Sequence, residues 1–202
     1  MNKIFLLLII AVSLSMTAAF ADTLRNDDIE VAVKITGEDV IIDLSLVVSA
    51  SRQQVWAVLT DFDHMSSFVS NLKESKVITT TGFTQKIYQR GVARYGLIDF
   101  PFESTREMQL TPYETIQSHM ISGNMRKMEG MTRLAEESGC TRIIFHTDTV
   151  PGYWLPPIAG KLFIENETRE QFQQIRDEIL KRKLSSEVLD NKQTRTDHAS
   201  DN

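Results

Sequence analysis

Asp61, Asp63 and His64 lie close together. Asp-x-Asp-His has the residue types of a metal site or of an acid/base site. Either chemistry needs more than this cluster. A metal wants three or four converging ligands, and covalent catalysis wants a nucleophile beside its base. The other histidines, His119, His146 and His198, sit on different strand patterns or near the end of the chain. The same cluster also suits a junction between helices. Asp61 ends an apolar helical pattern of Val55, Val58, Leu59 and Phe62. Asp63 stands where it would cap a second short helix, with Ser66 at the third position and Met65, Phe68 and Val69 turned inward. Capping is the simpler reading, and no metal or other cofactor is expected.

Arg106 is the second residue with chemical potential. On Phe102 to Thr111, Ser104, Arg106, Met108 and Leu110 share one face. Glu103, Thr105, Glu107 and Gln109 share the other, which reads as solvent-facing, so the first set points in. A buried guanidinium is costly unless it is paired. Two partners are available: Glu165 on the last helix, or a ligand carboxylate or phosphate held through two parallel hydrogen bonds. The same parity turns Ile116, Ser118 and Met120 inward on the next strand, then Met128, Thr132 and Leu134 around Gly130, then Ile143, Phe145 and Thr147. Met108, Met120 and Met128 thus share the inner face. Methionine suits surfaces that accept varied apolar ligands, and it also fills ordinary cores. His119 and His146 fall on the outer parity, so an enzyme here would have to work with Arg106, Thr132, Thr147 and Glu165.

These residues need a frame. Val40 to Val48 is β-branched and reads as a strand. Ser51 with Gln54 forms a capping box that starts a helix. Strands then follow at Glu74 to Thr79, Thr84 to Tyr95, Phe102 to Thr111, Thr115 to Ser122, Met125 to Ala135 and Thr141 to Val150. Gly82, Pro112-Tyr113, Gly123-Asn124 and Ser138-Gly139 separate them tightly enough for hairpins. Gly91 and Gly96 mark a bulge or bend. Pro156-Pro157 then leads into a helix from Ile158 to Lys183, with Ile164, Thr168, Phe172, Ile175 and Ile179 on one face. Trp154, Leu155, Ile158, Leu162 and Phe163 make its first turn more apolar than one face can bury. That turn is either a dock for transient membrane or partner contact, or packing beneath loops.

The 202-residue chain is long enough for one domain with a real core. Residues 1–21 read as a secretory signal: Lys3, the apolar run Ile4 to Val12, and the small residues of Ala19-Phe20-Ala21. The run is shorter than the about 20 residues of a membrane span. Asp22 would begin a mature, exported and periplasmic protein. The domain is expected over residues 22–184, and 185–202 as a disordered polar tail whose only large apolar residues are Val188 and Leu189. The net charge of −5, with no basic tract, argues against nucleic acid. Cys140 is alone and cannot form an internal disulfide.

The order of elements, one strand, two short helices, six strands and a long helix, resembles the helix-grip fold of the START-like superfamily. That superfamily includes polyketide cyclases/dehydrases, lipid-transfer domains and coenzyme-Q-binding proteins. Three stretches carry the likeness: ASRQQVWAVLTDFDHMSSFVSNLKESKV, ISGNMRKMEGMTRL and GYWLPPIAGKLFIENETREQFQQIRDEI. The resemblance implies an α+β fold in which a curved antiparallel sheet wraps a long C-terminal helix. It also implies a cavity between them for apolar or amphipathic small molecules. Arg106, Ser104, Met108, Ile116, Met120, Met128, Thr132 and Phe145 would line that cavity from the sheet, and Ile164, Glu165, Thr168 and Phe172 from the helix. The leading expectation is an exported binder of a lipid, an isoprenoid quinone or a polyketide-like compound. The rivals are a cyclase or dehydratase using the same cavity, and an interaction module with a filled interior.

Overall fold

The computed structural model describes residues 29–96, 98–152 and 157–200. The expected signal segment lies outside them. One open sheet carries eight strands: β1 (Glu30–Thr36), β2 (Asp39–Val48), β3 (Leu72–Thr81), β4 (Thr84–Tyr95), β5 (Ile98–Thr111), β6 (Thr115–Gly123), β7 (Lys127–Glu137) and β8 (Cys140–Val150). Their spatial order is β1-β2-β8-β7-β6-β5-β4-β3, and every neighbouring pair is antiparallel. From β3 to β8 the chain is a plain meander. Its turns use Gly82 at φ 60°, Tyr113 at φ 64°, and Ser138 and Gly139 at φ 51° and 81°. Two consecutive left-handed residues match the right-handed twist of the flanking strands.

β1 was not foreseen. Val31, Val33 and Ile35 alternate toward the interior before a turn at Gly37, and the strand pairs with β2 from Glu30↔Ser45 to Thr36↔Asp39. It brings the sheet to one strand more than the sequence suggested.

Between β2 and β3 the chain crosses to the far edge of the sheet. The crossing is made by α1 (Arg52–Leu59) and a single 3-10 turn, Met65–Ser67. The Ser51 hydroxyl accepts from the Gln54 N–H at 3.3 Å, and the Gln54 side chain accepts from the Ser51 N–H at 2.9 Å, so the expected capping box is present. Val55, Val58 and Leu59 of α1 are buried against Leu46, Val48, Ile143, Phe172, Ile175 and Ile179. This end of the molecule is solid.

The long helix α2 (Pro157–Ser200) lies in the curve of the sheet. Phe163, Thr168, Phe172, Ile175 and Ile179 form its buried stripe. The helix continues past Leu184, so the segment expected to be a disordered tail has helical backbone. No Pro or Gly stops it, and Lys183 and Glu187 add an i,i+4 pair. Leu184, Val188 and Leu189 remain exposed along this extension. Among the described residues no helix is long and apolar enough to cross a membrane.

Candidate functional site

The Asp-x-Asp-His cluster is a structural clasp. Asp61 Oδ1 meets His64 Nδ1 at 2.6 Å, and Asp61 Oδ2 accepts from Arg182 Nη1 of α2 at 2.8 Å. Burial alone would raise the Asp61 pKa, but the bonds from His64 and Arg182 outweigh it and hold the carboxyl below the usual range. Asp63 does not cap the 3-10 turn, which has no side-chain cap. Its Oδ1 accepts instead from Val77 N–H at 2.7 Å, beside the irregularity between Val77 and Thr79 where β3 slips its register against β4. The slip frees a backbone donor, and the carboxylate takes it. Among the described residues no cluster of His, Cys, Asp and Glu could hold a metal.

The concave face changes character along its length. Toward α1 it is aliphatic and closed: Leu46, Val48, Ile87 and Ile143 are almost wholly buried. Toward the start of α2 it becomes mixed and open. Register brings Met120 beside Arg106, Thr132 beside Phe145, and Gly130 between Ser118 and Thr147. Met120, Met128, Thr132, Phe145 and Ile164 are only half-buried, although strand parity and helix phase turn them toward the grip. Phe145 stacks at a tilt on Phe172, with centroids 5.1 Å apart, and Phe100 on Phe163 at 5.4 Å. Ser104, Met108, Ile116, Thr168 and Phe172 are buried. Two hydroxyls here are committed: Thr147 Oγ1 donates to Glu129 O at 2.7 Å, and Thr149 Oγ1 to Val40 O at 3.2 Å.

Arg106 does point inward, but Glu165 does not reach it. Glu165 sits 3.6 Å from Lys161 one turn earlier on α2, because i,i+4 spacing brings that ammonium closer than the sheet. No hydrogen bond joins Thr168 to Arg106 either. The partner is Gln89: Arg106 Nη2 donates to Gln89 Oε1. Gln89 Nε2 donates to Ser75 Oγ at 2.9 Å, and Ser75 Oγ donates to the Phe62 carbonyl. Gln89, Ser75 and Ser104 are all buried. Arg106 Nε is sealed from solvent and has no partner. Burial pushes the Arg106 guanidinium down to about 10, still far above neutrality. Gln89 and Ser75 escaped the sequence reading, though strand alternation with Ile87 and Gly91 places Gln89 on the inner face.

Beside the grip, a polar cleft of about 450 Å³ lies between β3–β4 and α2, lined in part by Ser70, Asn71, Lys73, Arg94, Glu167 and Gln174. Asn71 Nδ2 donates to Glu167 Oε2 at 3.1 Å, and burial raises the Glu167 pKa. Gly91 is required where this wall meets the sheet. A Cβ there would lie 2.1 Å from Asn71 O and 2.6 Å from Phe102 Cζ. His119 and His146 stand on the convex face, paired with Glu129 at 2.6 Å and Asp43 at 2.7 Å. Of the apolar turn before α2, residues 153–156 lie outside the described residues. Leu162 is 54% exposed, while Phe163 is buried.

Residues 48–176 match the family model described as polyketide cyclase / dehydrase and lipid transport. The chain belongs to that family. No curated protein matches this member. Among solved structures, the family member is similar to the Zhui aromatase/cyclase from Streptomyces sp. R1128, at 15% identity and TM-score 0.60, covering 71% of this chain and 95% of that one. It is also similar to a STAR-related lipid transfer protein from Xanthomonas axonopodis, at 11% identity and TM-score 0.59, covering 76% and 99%. A START superfamily protein from Mycobacterium smegmatis aligns at 11% identity and TM-score 0.59, covering 70% and 97%. At these identities the likeness establishes the START-like, helix-grip fold of the family member, with its α+β architecture.

Proposed function

We propose that this family member is a binding protein for a hydrophobic small molecule, such as a lipid, an isoprenoid quinone or a polyketide-like compound. The guest is held between the sheet and α2. The observation that carries the reading is the half-buried state of Met120, Met128, Thr132, Phe145 and Ile164, residues that point into the grip yet are not sealed by it. Accessible apolar surface inside a fold is surface that a guest can cover. Each square ångström so covered contributes about 25 cal/mol before the costs of association. The family and the similar structures, a lipid transfer protein among them, agree with this reading.

Binding is favoured over catalysis by the choice of side chains. His64, His119 and His146 are exposed, and Glu165 is tied to Lys161. Among the described residues the grip holds no nucleophile beside a base. The signal-like segment, residues 1–21, supports export and a periplasmic location, with any membrane contact made through the apolar turn before α2. The binding test is displacement of a fluorescent alkyl-chain probe from solvent-stripped protein. Saturable probe uptake, reversed by lipid extract, is expected, and a flat titration would overturn the reading. For export, N-terminal sequencing of periplasmic protein should begin at Asp22, whereas intact Met1 in the cytoplasmic fraction would contradict it.

A further inference from the structure

Arg106 narrows the chemistry of the guest, and the narrowing rests on the binding function just proposed. A guanidinium inside a protein is ordinarily met by a carboxylate. Here no acidic side chain among the described residues lies within ion-pair distance of Arg106. Glu165 is beside Lys161, and Glu167 is bonded to Asn71. The residue that does accept from Arg106, Gln89, is neutral. Its orientation is fixed. Ser75 gives its proton to the Phe62 carbonyl, so it must receive one from the Gln89 amide, and that leaves the Gln89 oxygen facing Arg106. The amide therefore aims the guanidinium without neutralising it. Nε is sealed and unpartnered, and Nη1 makes no hydrogen bond among the described residues. Ile87, Met108 and Met120 flank the site on its apolar side, the first two buried, and the polar side is held by Gln89 and Ser104. Nη1, a free donor on a whole positive charge next to half-buried Met120, makes a half-site for an anion.

We infer that the grip takes an amphiphile with an oxyanion head, a carboxylate or phosphate on an apolar tail, with the head seated on Arg106. A neutral head such as a quinone carbonyl or an alcohol could accept a hydrogen bond but would leave the charge uncompensated. A charge-assisted bond replaces that deficit, and its loss corresponds to a drop in affinity of about 10- to 150-fold.

The test needs no mutation at first. Solvent-stripped full-length protein is titrated calorimetrically with dodecanoate, dodecanol, dodecyl phosphate and inorganic phosphate at neutral pH. Dodecanoate or dodecyl phosphate should bind at least tenfold tighter than dodecanol, and inorganic phosphate alone should not bind measurably. Which of the two anions wins identifies the head. In Arg106→Met the preference for either anion over dodecanol should collapse toward unity. Equal affinity for dodecanoate, dodecyl phosphate and dodecanol in the native chain overturns the inference and leaves the binding function standing. A preference that survives Arg106→Met also overturns it, as does tight binding of inorganic phosphate without a tail. Failure of every alkyl compound sinks the binding function itself. If Arg106→Met does not fold, Arg106→Gln and the native comparison of anion against alcohol still decide the matter.

Discussion

Replacing Arg106 with methionine should leave the guest-free protein no less stable than the native chain, against the usual direction for a large interior side chain. Burial lowers the Arg106 pKa from the ordinary arginine value to about 10. Holding the proton inside the fold therefore costs about 3 kcal/mol at neutral pH. Methionine is of similar length and removes that cost. The substitution also strips Gln89 Oε1 of its donor, and an orphaned buried acceptor costs about 1–3 kcal/mol. The two effects leave the variant between no change and about 2 kcal/mol of added stability. Adding Gln89→Leu removes the orphan and should move the result to the upper end. The pH dependence follows from the direction of the shift. A base whose folded pKa lies below its unfolded value carries its full penalty below the folded pKa, and the penalty is relieved only as pH climbs above about 10 toward the ordinary arginine range. The difference between variant and native chain should thus be flat from about pH 6 to pH 9. Urea unfolding of solvent-stripped protein measures it, with an unchanged m-value showing that the same surface unfolds. Stripping matters because a bound guest would stabilise the native chain alone. A loss of more than about 2 kcal/mol in Arg106→Met, with m unchanged, would refute the idea of an uncompensated cation.

Two further outcomes test the frame. Gly91→Ala should cost about 3 kcal/mol and lower the melting temperature sharply, because its Cβ would lie 2.1 Å from a backbone oxygen of Asn71 that cannot rotate away. A melting temperature within a degree of native would mean the Asn71 wall does not sit there. Asp61→Asn should cost about 1 kcal/mol at neutral pH through its bonds to His64 and Arg182. The Asp61 pKa is depressed in the fold, so this stabilisation is present above the ordinary carboxylate range and disappears as pH falls through the lower folded value. A cost that persists in strong acid would assign Asp61 a different role.

Much of the frame was legible because local signals agree along most of the chain. Thr84–Tyr95 reads as a strand from its ends inward, and Ser51 with Gln54 announces a helix in four residues. The site was legible only as a face. Alternation placed Ser104, Arg106, Met108, Met120 and Thr132 on the concave side without the structure. It could not say which partner reaches Arg106. That depends on which side chain the sheet's curvature brings close: Gln89, one strand over, lies near enough, and Glu165, across the grip, does not. Asp63 was misread for a similar reason. Capping is a local rule, and the local donor lost to a long-range one that a strand irregularity had released at Val77. β1 was passed over because three alternating residues, Val31, Val33 and Ile35, are a weak signal until β2 is there to pair with. The helix beyond Lys183 shows the opposite failure. A polar composition argues against burial, and it does not argue against helical backbone.

Native mass spectrometry is the most direct probe of the space inside the grip. Full-length protein is released gently from the cells that make it, weighed without denaturation, and weighed again after solvent stripping and exposure to a lipid extract. An added mass of one small apolar or amphiphilic molecule per chain, lost on stripping and regained on exposure, is what a hollow grip predicts. A bare chain mass under all three conditions would mean that sheet and helix close on each other and hold nothing.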